Sequence, residues 1–111
     1  MNKFLIHFLL FFSVFHTLAV KAQGLSSDWV KVIQLRPITS GKVYFVVDKV
    51  AICNTNSFLM KITDNGSKAV YSTLLAAAMS GKKIKLETWR GCATSNGGWG
   101  TEIEAIKVKF P

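Results

Sequence analysis

One stretch of this chain carries helical spacing, and β-like runs stand on both sides of it. Ala69, Val70, Thr73, Leu74, Ala77 and Ala78 recur at intervals of three and four residues, the repeat that puts side chains on one face of a helix. Asp64-Asn65-Gly66-Ser67 precedes them as a turn leading into an N-cap, and Ser80-Gly81 supplies the stop, glycine adopting the left-handed C-terminal conformation cheaply. The face is mostly alanine and leucine, so the helix can sit close against a sheet or into the end of a barrel.

The runs before it are β-branched and aromatic. Trp29 to Arg36 and Lys42 to Asp48 read as two strands joined by the turn residues Pro37 to Gly41. Both are apolar on both sides at their centres, which suits strands covered by core or by a neighbouring subunit. Val50 to Cys53 and Phe58 to Ile62 read as two pieces of a third strand, interrupted by Asn54-Thr55-Asn56, residues that bond locally and tolerate left-handed backbone. After the helix, Ile84, Leu86 and Thr88 alternate with Lys83, Lys85 and Glu87 within Lys82 to Trp89, a half-buried strand with a charged outer face. Arg90 to Gly100 is a glycine-rich loop, and Thr101 to Phe110 alternates again. Strand, strand, strand, helix, strand, strand predicts a mainly β fold with one helix: an OB-fold-like, five-stranded Greek-key barrel capped by that helix.

The N-terminus bounds where such a domain works. A short basic start at Lys3, an apolar block from Phe4 to Val20 and the small residue Ala22 follow the order of a secretory signal peptide over residues 1–22. No basic stop-transfer cluster follows, so the segment is read as removed rather than kept as a membrane anchor. Cleavage leaves 89 of the 111 residues, 23–111, as a single domain, secreted or periplasmic, with Gln23 to Asp28 as a loose polar lead. Lys3 and Lys21 leave while all six acids stay, so the formal charge falls from +8 to +6. His7 and His16 leave too, which removes imidazole chemistry from the mature chain. Cys53 and Cys92, the only cysteines, are expected to pair in an oxidising compartment. Two cysteines without histidine make a poor zinc site, and no motif implies a cofactor or metal.

Hydrolysis or group transfer needs an activated nucleophile or an acid/base pair. Only Asp28, Asp48, Asp64, Glu87, Glu102 and Glu104 are offered, scattered over turns and strand faces, and the chain reads as a binder rather than an enzyme. The candidate ligand contacts are Trp99 and Asn96 in the glycine-rich loop, with Trp89 and Arg90 at its start, because indole rings stack on sugars or bases while their N–H finds a polar partner. Lys82, Lys83, Lys85, Arg90, Lys107 and Lys109 come from the strands flanking that loop, so basic charge is expected either to converge on one side of the barrel or to form ordinary solvated strand faces. Convergence would support the alternative class, a periplasmic or extracellular structural or interaction protein holding an anionic partner. Export disfavours nucleic acid as that partner.

Val43-Tyr-Phe-Val-Val, Cys53-Asn, the run from Ala69 through the helix to Lys82-Lys-Ile-Lys-Leu, Gly91-Cys92 and Trp99-Gly100 resemble small secreted bacterial proteins related to the B subunits of the subtilase cytotoxin and typhoid toxin group. The resemblance implies an OB-fold, a homo-oligomeric pentamer ring and recognition of sialylated glycans without catalysis. The chain is shorter than those subunits and lacks their C-terminal segment and additional cysteines. Their serine-centred sugar site has no secure counterpart here, Ser26, Ser27 and Asp28 lying nearest to it.

Overall fold

The computed structural model describes residues 24–110, without the side chains of Ser95 and Asn96. The signal peptide expected over residues 1–22 and the polar Gln23 lie outside the described residues. Among the described residues the chain is mainly β with one α-helix: β1 Leu25–Ser26, β2 Val32–Pro37, β3 Lys42–Val47, β4 Ser57–Lys61, α1 Asn65–Ser80, β5 Ile84–Thr88, β6 Thr101–Glu102 and β7 Ala105–Val108.

Alternation decides which way each strand faces. Val43, Phe45 and Val47 of β3, Phe58 and Met60 of β4, and Ile84 and Leu86 of β5 are all buried, while the residues between them point outward. Register brings Phe45 opposite Phe58, with ring centroids 5.8 Å apart. Leu74 and Ala77 of α1, Val30 and Ile103 complete the core. Each fully buried Phe, Leu or Ile contributes about 1.5–3 kcal/mol relative to leaving it in water, so this cluster is the main stabilising term.

The helix begins and ends as its sequence dictates. The Asp64 carboxylate accepts from the Ser67 N–H at 2.8 Å, and the Ser67 hydroxyl accepts in return from the Asp64 N–H at 3.0 Å, satisfying donors the first turn leaves free. Gly81, at φ 67°, closes the C-terminus and donates to the Ala77 and Ala78 carbonyls.

The hydrogen-bond ladders form two sheets, ordered β1-β5-β7 and β2-β3-β4-β6, rather than the closed five-stranded barrel expected. Two chain segments serve both sheets. Leu25–Ser26 pairs antiparallel with β5 and Val30 bridges Ile84, whereas β2 pairs antiparallel with β3. A register shift between Val32 and Gln34 bends the strand there and leaves Ile33 64% exposed. Likewise β6 runs parallel to β4 while β7 pairs antiparallel with β5. The change falls on one residue step, since the Ile103 N–H donates to Leu59 O and the Glu104 N–H to Glu87 O, each at 2.8–3.0 Å. The continuous last strand expected from Thr101 to Phe110 is therefore broken where Ile103 turns into the core.

Two further expectations are corrected and a third is narrowed. Val50 to Cys53 is not a strand: Ile52–Asn54 is a single 3₁₀ turn with Cys53 at φ 61° and Asn54 at φ 54°, two successive left-handed residues that depart from extended strand geometry. The lead Gly24 to Asp28 is not loose, because the Ser27 hydroxyl accepts from the Leu86 N–H at 2.8 Å and β1 pairs along β5. The outer side of β2 is not covered by the chain's own core, since Ile33, Gln34 and Arg36 are exposed in the single chain.

Candidate functional site

The outer face of the four-stranded sheet follows from register. Arg36, Tyr44, Leu59 and Glu102 form one row across β2, β3, β4 and β6, and Gln34, Val46 and Ser57 form the next. Over these rows lies the loop between β5 and β6. Its Trp99 ring stacks on Tyr44 with centroids 5.7 Å apart and planes 20° from parallel, yet Trp99 stays 50% exposed. Gln34, Arg36, Ile38, Tyr44, Ser57 and Trp99 line a groove of about 400 Å³. An aromatic shelf rimmed by an amide, a guanidinium and a hydroxyl offers an apolar ring face a place to stack and its edge groups hydrogen-bond partners.

The loop is pinned at several points, so the shelf is held in place. Cys92 is bonded to Cys53, the pairing expected from the sequence, with Cα atoms 5.4 Å apart. Gly100 donates to Ser57 O at 3.0 Å, and the buried Thr101 hydroxyl donates to Gly98 O and accepts from the Ala93 N–H. Gly98 has φ 94°, and a Cβ there would collide with the Cys53 carbonyl oxygen. No other residue type fits this crossing without displacing one of the two chains.

The four residues singled out from sequence do not converge. Trp99 forms the shelf. Asn96 falls in the short turn Ser95–Gly98 of the same loop, its side chain outside the described residues. Trp89 and Arg90 belong elsewhere, on a second groove of about 570 Å³ near the start of α1, lined also by Lys61, Asp64, Glu102 and Glu104. Trp89 is 65% exposed, and it lies against Gly24, the residue before β1. Arg90 is held by two carboxylates, at 3.2 Å from Glu102 and 3.9 Å from Glu104, and Lys61 also reaches Glu102. The backbone N–H groups of Trp89 and Arg90 both donate to Glu104 at 3.0 Å. Arg90 thus ties the loop's first residues to Glu102 of β6 and to Glu104 just after it, while its side chain stays largely exposed.

Tyr44, Gln34, Arg36 and Ser57 were missed. Their signal was the period-two alternation of β3, where Tyr44 falls between the inward Val43 and Phe45. The partners on β2 and β4 follow only from register. Among the described residues no cluster of histidine, cysteine or carboxylate is placed to hold a metal, and no helix is long and apolar enough to cross a membrane.

No protein-family model and no curated protein matches the chain, so neither comparison links it to toxin B subunits.

Proposed function

We propose that this protein is a non-enzymatic, exported carbohydrate-binding module whose ligand stacks on Trp99. The observation that carries the reading is a half-exposed indole, backed by Tyr44 and clamped by a disulfide-bonded loop, beside Gln34, Arg36 and Ser57. An aromatic already fixed in place loses little freedom when a sugar ring covers it, which favours recognition by a shallow groove. Absence of catalysis belongs to the proposal. Its support is that no carboxylate lines the Trp99 groove among the described residues, and that Glu102 and Glu104, on the other groove, share the cation of Arg90.

We further propose that the two sheets are an opened relative of the OB-fold barrel. The parallel pairing of β4 with β6 and the two segments shared between sheets support this relation. The pentamer implied by the resemblance is a separate proposal, decided by light scattering on the oxidised protein.

The test is a glycan array followed by calorimetric titration of the best-bound sugar. Replacing Trp99→Ala removes an aromatic contact of about 0.5–1.5 kcal/mol beyond its buried area, so affinity should fall about ten-fold. Arg36→Gln should weaken binding less if the sugar is neutral and as much if it is acidic. Failure of the folded, oxidised protein to bind any sugar, or unchanged affinity in Trp99→Ala, overturns the proposal.

A further inference from the structure

The outer face of the other sheet carries a different chemistry. Ile84 and Leu86 point inward, so Lys83, Lys85 and Glu87 point outward along β5. Register sets Lys85 opposite Lys107 on β7, and one step on, the Lys109 N–H donates to Lys83 O at 3.0 Å. Lys82 joins the same edge, its ammonium 5.3 Å from the Phe110 ring centroid. Trp29, next to the Val30–Ile84 bridge, extends the row, with the Lys85 and Lys109 ammoniums 5.1 Å and 5.6 Å from its ring centroid. Glu87, 3.4 Å from Lys107, is the only acid among them, so five lysines against one glutamate leave a local charge of +4. The remaining four lysines make no ion pair among the described residues.

Like charges set directly opposite each other across strands are destabilising, and nothing in the core requires lysine at these outward positions. The indole draws two of the ammoniums together, which holds charge in place rather than dispersing it. From this face we infer a second binding surface, independent of the Trp99 shelf, that takes a linear acidic polysaccharide laid along β5 and β7. Side chains on one face of a strand recur about every 6.8 Å and neighbouring strands lie about 4.8 Å apart, so the amines form two parallel lines that fit a chain of regularly repeated carboxylates or sulfates. Trp29 is engaged by its own lysines, so the face lacks the open aromatic platform by which single-stranded nucleic acid is held. Phe110, 73% exposed, is a lone apolar side chain beside the cations, less than the broad apolar face that beds a protein into a lipid interface.

The test uses the oxidised protein and three probes: polygalacturonate with dextran sulfate, a single-stranded oligonucleotide, and vesicles of phosphatidylglycerol with phosphatidylcholine. The polysaccharides should bind most tightly, with affinity falling steeply as salt rises, because released counterions drive the association. Replacing Lys85→Gln and Lys109→Gln together should reduce that affinity about ten-fold or more, while Lys85→Arg with Lys109→Arg retains it. The glutamine pair relieves repulsion, and thermal melting checks that it stays folded. The loss caused by the glutamine pair should be the same in the parent and in the Trp99→Ala background, which separates this surface from the sugar shelf. Tighter binding to the oligonucleotide or the vesicles, no polysaccharide binding, or a glutamine pair that binds like the parent would overturn the inference.

Discussion

Removing the Cys53–Cys92 bond separates the two things it does. The cysteines lie 39 positions apart, and closing a loop of that length lowers the entropy of the unfolded chain by an amount worth about 4 kcal/mol at room temperature. A single domain this small has a total stability of about 5–13 kcal/mol, so the bond supplies a third or more of it. Cys92 is exposed and Cys53 only half-buried, so Cys53→Ser with Cys92→Ser loses little packing, and the loss measured is that of the tether. Urea unfolding should show a midpoint shifted down by the equivalent of about 4 kcal/mol, with a larger m-value because the uncrosslinked chain exposes more surface. The matching fall in Tm is about 15–30 °C. The second effect is local: the loop between β5 and β6 keeps its bonds to Ser57 and Thr101 but loses its covalent anchor. Sugar affinity should therefore weaken under conditions where the protein is still fully folded. A stability loss below about 1 kcal/mol would refute the loop-closure reasoning, and unchanged sugar affinity in the folded variant would refute the link between tether and shelf.

Two other substitutions probe the same architecture. Gly98→Ala places a methyl group on the Cys53 carbonyl at a backbone φ of 94°; it should lower Tm and perturb the Trp99 fluorescence, whereas Gly97→Ala, with open space around its Cβ, should perturb it less. At the helix start, the backbone and side-chain hydrogen bonds from Ser67 hold the Asp64 carboxyl below the usual carboxylate range. A carboxyl whose pKa is lower in the folded state adds stability above its unfolded pKa and loses it as pH falls through the lowered folded value. Asp64→Ala should thus be less stable than the parent at neutral pH and converge with it in acid, while Asp64→Asn, which caps without titrating, should keep a pH-independent share. Parallel melting curves for Asp64→Ala and the parent down through the acid range would contradict the capping argument.

Elements whose signal is local were legible in the sequence. The helix stands between Asp64 and Gly81, because cap chemistry and three-to-four spacing are properties of neighbouring residues. The cores of β3 and β5 were likewise set by alternation. Where the reading failed, a distant partner decided. Leu25–Ser26 carries no strong β signal and pairs because β5 presents it an open edge. Ile103 looks like any strand residue, yet its N–H and that of Glu104 serve different sheets. Trp89 and Arg90 adjoin the same loop as Trp99 in sequence but open onto another groove, because Glu102 and Glu104 capture the loop's first residues.

The sequence by itself determined the helix from Asn65 to Ser80, the inward stripes of the strands, the surplus of positive charge and the two sulfurs that pair. It did so because those depend on residue type and short-range spacing. Only the tertiary structure decided that the ladders divide into two sheets, that Tyr44 lies beneath Trp99, and that the lysines of β5 and β7 stand opposite one another around Trp29. Each of these depends on strand register and chain crossing, which are settled by contacts between residues far apart in the chain.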